Sequence, residues 1–155
     1  MLTLSSITLY PVKSVAGVLV QQAQVDPAGL AGDRRWMLVD PEGRFVTGRQ
    51  LPALVRIQLG VDVAGTLTLP DGRQVSPHES GRARRVTIWR DSVAALEPDP
   101  VASAWFSQQL GRPLHLVCGD PSEPRAVRGP GAQNDDVVSF ADGYPVLLIS
   151  EASLA

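Results

Sequence analysis

The stretch RRWMLVDPEGRFVTGR, residues 34 to 49, decides the fold. Asp40, Pro41 and Gly43 occupy the first, second and fourth positions of a four-residue turn, the order a type I turn favours. Ahead of the turn, Trp36, Met37, Leu38 and Val39 are apolar at consecutive positions. A strand with both faces apolar belongs inside a sheet. The arm that follows, Arg44 to Gly48, completes a hairpin expected over Arg34 to Arg49.

Register then raises a charge problem. A two-residue loop pairs Val39 with Arg44 and sets Arg34 opposite Arg49, and a one-residue bulge brings Arg35 opposite Arg49 instead. Like charges facing each other across a ladder are destabilising unless an anion lies between them. Asp33 can supply that anion in a surface salt bridge of small value, and a bound anion can supply it as well.

Outward from the hairpin, short β-like runs recur between turn clusters: Leu2 to Tyr10, Val18 to Val25, Val55 to Val63, Thr66 to Leu69, Arg84 to Arg90 and Pro113 to Cys118. The fold expected is mainly β, a coiled or barrel-like antiparallel sheet with one or two short helices. One helix is well marked. Asp99 caps it, Pro100 fits its first turn, Gly111 ends it, and Val101, Ala102, Trp105, Phe106, Gln109 and Leu110 form its apolar stripe.

Residues 119–137 are rich in Pro, Gly and Asp and carry no periodicity, as in a lid, a binding loop or a linker. Pro145 to Ile149 then reads as a buried strand, and Ser150 with Glu151 as the cap and first turn of a helix. One turn is too short to be a stable helix alone. Residues 139–155 are therefore expected to begin a second domain, after a first domain spanning 1–138.

Composition narrows the function. At 155 residues and a formal charge of −2, the chain can bury one core but offers no general cationic field for nucleic acid or an anionic membrane. An anion site must be local. Of the fourteen cationic residues only Lys13, in YPVKS, is lysine. The N-terminal residues resemble no signal sequence and no apolar run reaches about 18 residues, so a cytoplasmic protein is expected.

Cys118 is the only cysteine, which excludes an internal disulfide, and it reads as a buried small hydrophobe closing the strand PLHLVC. His78 and His115 stand apart from each other and from any carboxylate pattern, so no Ser-His-Asp arrangement or metal motif is expected.

Three motifs taken in order, YPVKSVAG, GLAGDRRWMLVDPEGRFVTGRQ and PVLLISEASLA, resemble the N-terminal β-barrel domain of the MOSC proteins, the molybdenum cofactor sulfurase C-terminal family. That family includes the mitochondrial amidoxime-reducing component and bacterial relatives. The resemblance spans nearly the whole chain. It implies a molybdenum cofactor (molybdopterin) whose pterin and terminal phosphate lie between this domain and a following MOSC domain. Members that reduce N-hydroxylated compounds carry the molybdenum-ligating cysteine in that following domain and take electrons from a donor protein or domain.

Residue by residue, the resemblance assigns cofactor contacts to Lys13, Ser14 and Arg34. An ammonium, a hydroxyl and a guanidinium fork are suitable charge-assisted donors to phosphate. Arg49 joins them from the hairpin register, and Ser107, in WFS, from the resemblance. No metal ligand and no catalytic residue are assigned, so the chain is expected to be inactive alone, as half of an oxidoreductase site. The alternative is a freestanding β-rich module that binds a small phosphorylated ligand or a partner's carboxylates. One geometric demand follows from either reading. In a flat meander Lys13 and Arg34 would lie at opposite ends of the Val18 to Val25 strand, about 26 Å apart, so only coiling or pairing out of sequence order can unite them.

Overall fold

The computed structural model describes residues 3–77 and 81–154, so Leu2, His78 and Ala155 lie outside the described residues. Among the described residues, eleven short strands and one α-helix follow in order: β1 Ile7–Leu9, β2 Val18–Val20, β3 Val25–Asp26, β4 Gly29–Leu30, β5 Trp36–Val39, β6 Gly60–Val61, β7 Leu67–Thr68, β8 Gln74–Val75, β9 Arg82–Ile88, β10 Asp91–Glu97, α1 Pro100–Leu110 and β11 His115–Gly119. The expected mainly β architecture is present.

At its centre is a four-stranded antiparallel sheet in the order β5, β11, β10, β9. Its two edges meet through the chain leaving the Asp40 turn. Val46 N–H donates to Leu38 on β5 at 3.0 Å, Phe45 N–H donates to the Thr87 carbonyl on β9 at 2.9 Å, and Thr87 N–H donates to the Gly43 carbonyl at 2.8 Å. Residues 43–46 thus join both edges of the sheet and close it into a small barrel, which removes the exposed edges an open sheet would present.

The turn that starts this closure is held tightly. Gly43 N–H returns to the Asp40 carbonyl at 2.9 Å, and the Asp40 carboxylate accepts from the Arg44 backbone and side chain at 2.8 Å each. Gly43 has a φ of +79°, and a Cβ there would meet the Arg85 carbonyl oxygen at 2.9 Å. Only glycine satisfies both demands.

Side-chain alternation along the ring separates two cores. Met37, Val39, Phe45, Val86, Ile88, Val93, Ala95 and Val117 come from every member of the ring and fill its inside, with Phe140 packed against them. The opposite face of β5 and β11, carrying Trp36, Leu38, Leu116 and Cys118, packs against Ala102 and Phe106 of α1 and against Leu67 and Val75 of the β6–β8 sheet. Strand β5 is therefore buried on both faces, as its unbroken apolar run requires.

The helix follows its signals: Asp99 accepts from Val101 N–H at 2.8 Å, Pro100 opens it and Gly111 ends it at a φ of +66°. Its stripe differs at both ends, and at the C-terminal one Gln109 is exposed. Val101 is 57% exposed, and Ser103 is buried in its place, its hydroxyl occupied by Glu97 and by Leu116 N–H.

Other expectations are corrected. The Arg44 to Gly48 arm pairs only as far as Val46 before a turn in which Gln50 N–H donates to Thr47. The Val55 to Val63 run is largely not a strand, because Pro52 initiates a 3-10 turn over Pro52–Arg56 and only Gly60–Val61 pairs. The Pro145 to Ile149 segment is neither paired nor buried; Leu147 and Leu148 are 77% and 83% exposed. Beyond it lies a 3-10 turn at Glu151–Ser153, for which the Ser150 side chain makes no capping bond.

Gly43→Ala should cost about 1–2 kcal/mol from the left-handed backbone alone, with the Arg85 clash adding to it. Urea denaturation checks this, and a Gly43→Ala chain as stable as the parent would contradict the closing role of the turn.

Candidate functional site

The demand that Lys13 and Arg34 meet is satisfied by pairing out of sequence order. Residues 10–13 run parallel to residues 34–36: Arg34 N–H donates to Tyr10 at 2.7 Å, Trp36 N–H to Pro11 at 3.1 Å and Lys13 N–H to Trp36 at 2.9 Å. Buried Asp33 anchors the start of this seam, accepting from Tyr10 N–H at 2.7 Å and from the Arg34 guanidinium at 2.9 Å. Burial raises its carboxyl above the ordinary aspartate value despite that N–H bond and the neighbouring arginines.

The seam delivers Lys13, Ser14 and Arg34 to one groove of about 560 Å³, whose wall also carries Arg49, Thr47, Trp89 and Asp142. Four of the five residues assigned from sequence are therefore together. Ser107 is not among them. Its single hydroxyl proton is shared between the carbonyls of Ser103 and Leu114 and its oxygen accepts from Leu114 N–H, so it fastens the end of α1 to the approach of β11 and its donor is already used.

Lys13 is 6% exposed, unusual for a lysine. Its Nζ donates to Asp142 Oδ1 at 2.6 Å and lies 5.2 and 5.8 Å from the ring centroids of Phe45 and Trp89. Trp89 Nε1–H donates to the same Asp142 oxygen at 3.1 Å. Arg34 reaches the Pro145 carbonyl at 3.2 Å, yet its Nε is buried with no hydrogen-bond partner among the described residues. Arg49 is exposed and takes part in none of the ion pairs among the described residues. An unpaired buried N–H is costly, so the orphaned Nε marks a place for an acceptor.

Backbone strain gathers at the same spot. Ser14, Arg34 and Trp89, at φ of +68°, +47° and +56°, are the non-glycine residues with positive φ among the described residues, and all three line this groove. Each such conformation costs roughly 1–3 kcal/mol and persists where surrounding structure imposes it, commonly at ligand clamps.

The sequence expectation of two guanidinium groups facing each other resolves differently. Val39 pairs with Phe45, so neither Val39–Arg44 pairing nor a continuous ladder to Arg49 forms. Arg35 turns away to Asp26, leaving Arg34 and Arg49 to share the groove wall.

Two other titratable groups have settled roles. His115 is not isolated: its Nδ1 lies 2.8 Å from Glu97 Oε1, and Glu97 also receives Ser103 and Arg84. Burial pushes Glu97 up, but Ser103, His115 and Arg84 outweigh it and hold it below the ordinary glutamate value. Sequence could not show this cluster, since its members sit on β9, β10, α1 and β11. Cys118 is buried and its thiol is pushed up to about 11, so it stays protonated. No group of three or more His, Cys, Asp or Glu suited to a metal occurs among the described residues, and no helix there is long and apolar enough to cross a membrane.

Burial lowers the Lys13 amine below the ordinary lysine value, with Arg34 and Arg125 adding to the effect and Asp142 opposing it. The folded chain then holds that proton less tightly than the unfolded chain. The charged lysine costs stability at neutral pH, and stability recovers as pH rises from the folded value toward 10.5. Lys13→Met should leave the ligand-free chain at least as stable at pH 7 and remove that recovery near pH 10, as read by urea denaturation at both pH values; a clear loss of stability at pH 7 would contradict it.

Comparison with known proteins agrees with the barrel. The model of the MOSC N-terminal beta barrel domain matches residues 1–113. Mitochondrial amidoxime-reducing component 1 of Xenopus laevis is 31% identical, with 97% of this chain and 48% of that protein covered. Its Homo sapiens counterpart is 30% identical, over 99% of this chain and 49% of that protein. Molybdenum cofactor sulfurase of Oryza sativa subsp. japonica is 29% identical, over 98% of this chain and 20% of that protein. A solution structure from Bordetella bronchiseptica aligns with a TM-score of 0.48 at 16% identity, covering 72% of this chain and 98% of that one. The chain thus spans about half the length of the amidoxime-reducing components it matches and a fifth of the sulfurase. With the matched model covering most of its length, the chain belongs to the MOSC N-terminal beta barrel domain family.

Proposed function

We propose that this domain holds the phosphate end of a molybdenum cofactor, contributing phosphate and pterin contacts to an oxidoreductase completed by a following MOSC domain. The observation that carries the reading is the groove itself: one buried ammonium, two guanidinium groups and a hydroxyl converge beside an orphaned buried Nε. A phosphate monoester offers acceptor oxygens to the donors that have none among the described residues, the Arg34 Nε and Arg49, and an alternative acceptor to Lys13. The names of relatives, an amidoxime-reducing component and a molybdenum cofactor sulfurase, point to the same cofactor.

In this reading Lys13 supplies a fixed point charge, Arg34 a planar fork whose Nε is already desolvated, Arg49 an exposed outer cation and Ser14 a hydroxyl that can donate or accept. The exposed face of Trp89, 52% accessible, offers the pterin a stacking surface at the rim. The bound molybdenum supplies redox chemistry suited to reducing N-hydroxylated compounds. The residues of this chain bind and orient; none is placed to transfer an electron or a proton, so the chain alone is inactive. An electron-donor protein or domain and a reducing, cytoplasmic setting complete the proposal.

A second reading has one observation in its favour: a carboxylate, that of Asp142, already sits on Lys13. A module that receives a partner's carboxylates would use the same cations. The two readings separate in a protein carrying the full MOSC region. Lys13→Ala and Arg34→Lys should each reduce the molybdenum cofactor that copurifies, and in this chain each should weaken inorganic phosphate binding roughly 10–100-fold, the worth of one charge-assisted hydrogen bond. Unchanged cofactor content in both variants would favour the carboxylate-binding module.

A further inference from the structure

We propose that Asp142 is a built-in counter-ion that an incoming phosphate must displace from Lys13, so that Asp142 sets which anions the groove accepts. The inference rests on the reading of the groove as a phosphate site. It starts from an asymmetry within one ion pair: the Lys13 side chain is 7% exposed and the Asp142 side chain 78% exposed. The lysine cannot leave its place, whereas the carboxylate can rotate into water.

The backbone around Asp142 is fixed by contacts that the carboxylate does not make. Arg125 donates to the carbonyls of Ala141 at 2.6 Å and Ser139 at 3.2 Å, and Phe140 N–H donates to the Arg34 carbonyl at 3.0 Å. Release of the carboxylate therefore needs only a side-chain rotation. It breaks two bonds, from Lys13 Nζ and from Trp89 Nε1–H. Both donors are returned to whatever anion replaces it.

Without a ligand, a buried ammonium with no anion would be strongly destabilising, and Asp142 supplies the compensating charge. Its own carboxyl reflects the contact: burial pushes it up, but Lys13 and then Trp89 and Arg34 outweigh that and lower it. With a ligand, geometry decides. The Asp142 carboxylate engages Lys13 and Trp89, and leaves the Arg34 Nε without a partner and Arg49 without an ion pair among the described residues. A phosphate dianion has enough oxygens and charge to engage Lys13, Arg34 and Arg49 together. A monoanion such as acetate gains little, because it must outcompete a carboxylate tethered at high effective concentration. The tether thus rejects small monoanions and admits phosphate monoesters.

The test is isothermal titration of this chain with inorganic phosphate and with acetate, in the parent, Asp142→Asn, Asp142→Ser and Lys13→Met forms. If both Asp142 variants fold poorly because the Lys13 charge is left uncompensated, the Trp89 indole N–H resonance of the parent carries the test, and no shift on phosphate addition overturns the proposal. The proposal expects phosphate to bind about tenfold more tightly once the tethered competitor is gone, acetate to bind measurably only in the two Asp142 variants, and Lys13→Met to bind phosphate roughly 10–100-fold more weakly than the parent. The Trp89 indole N–H resonance should shift on phosphate addition in the parent as it exchanges partners. If Lys13→Met binds phosphate more weakly but the Asp142 variants bind it no more tightly than the parent, Asp142 is not a competitor and only this inference fails. If no form binds phosphate, or all bind it equally, the phosphate reading of the groove fails and takes this inference with it.

Discussion

The parallel seam between Tyr10–Lys13 and Arg34–Trp36 is the contact on which the rest of the molecule depends. Three backbone hydrogen bonds, with Asp33 accepting from Tyr10 N–H, place a turn from the N-terminal segment beside the entrance to the central strand. Without them Lys13 and Arg34 would belong to separate ends of a meander. With them, Ser14 and Arg34 are fixed in left-handed backbone that neither residue adopts cheaply. Burying Asp33 beside the seam carries its own cost, offset in part by Tyr10 N–H and then by Arg34 and Arg35.

The barrel gives that seam a rigid support. Strand β5 is packed on both faces, pairs with β11 along one edge and with the chain after Gly43 along the other. The same closing segment carries Phe45, which lies inside the ring and under the Lys13 ammonium, and leads on to Thr47 and Arg49 on the groove wall. Closure of the ring and construction of the site are therefore one event. A lysine whose burial costs stability, three strained residues and an unsatisfied guanidinium nitrogen are concentrated at one groove beside the closed ring. That distribution is expected when a folded scaffold supports a ligand site at some expense to its own stability.

Much of this was legible in the sequence where local rules govern. The Asp40 to Gly43 turn, the cap and termination of α1, the two-faced burial of β5 and the gathering of Lys13, Ser14, Arg34 and Arg49 all follow from residue order or from motif resemblance. What escaped was set by tertiary context. Strand β10 follows a two-residue turn made by Trp89 and Arg90, which carries none of the Gly or Asn that marks such turns. Pro52 overrode the apolar run after it. Asp142 lies 129 residues from Lys13, and no local pattern announces the pair. Ser107 has a hydroxyl of the right kind, but a helix end claimed it first.

If the out-of-sequence seam builds an anion site from Lys13, Arg34 and Arg49, a heavy phosphate mimic should settle there. Tungstate carries the charge and shape of phosphate and scatters anomalously, so diffraction from crystals of this chain grown with it locates the site directly. The expected result is one strong anomalous peak within hydrogen-bonding reach of Lys13 Nζ and Arg34 Nε, with the Asp142 carboxylate turned out to solvent. A peak elsewhere, or none with Asp142 still seated on Lys13, would contradict an anion site in this groove.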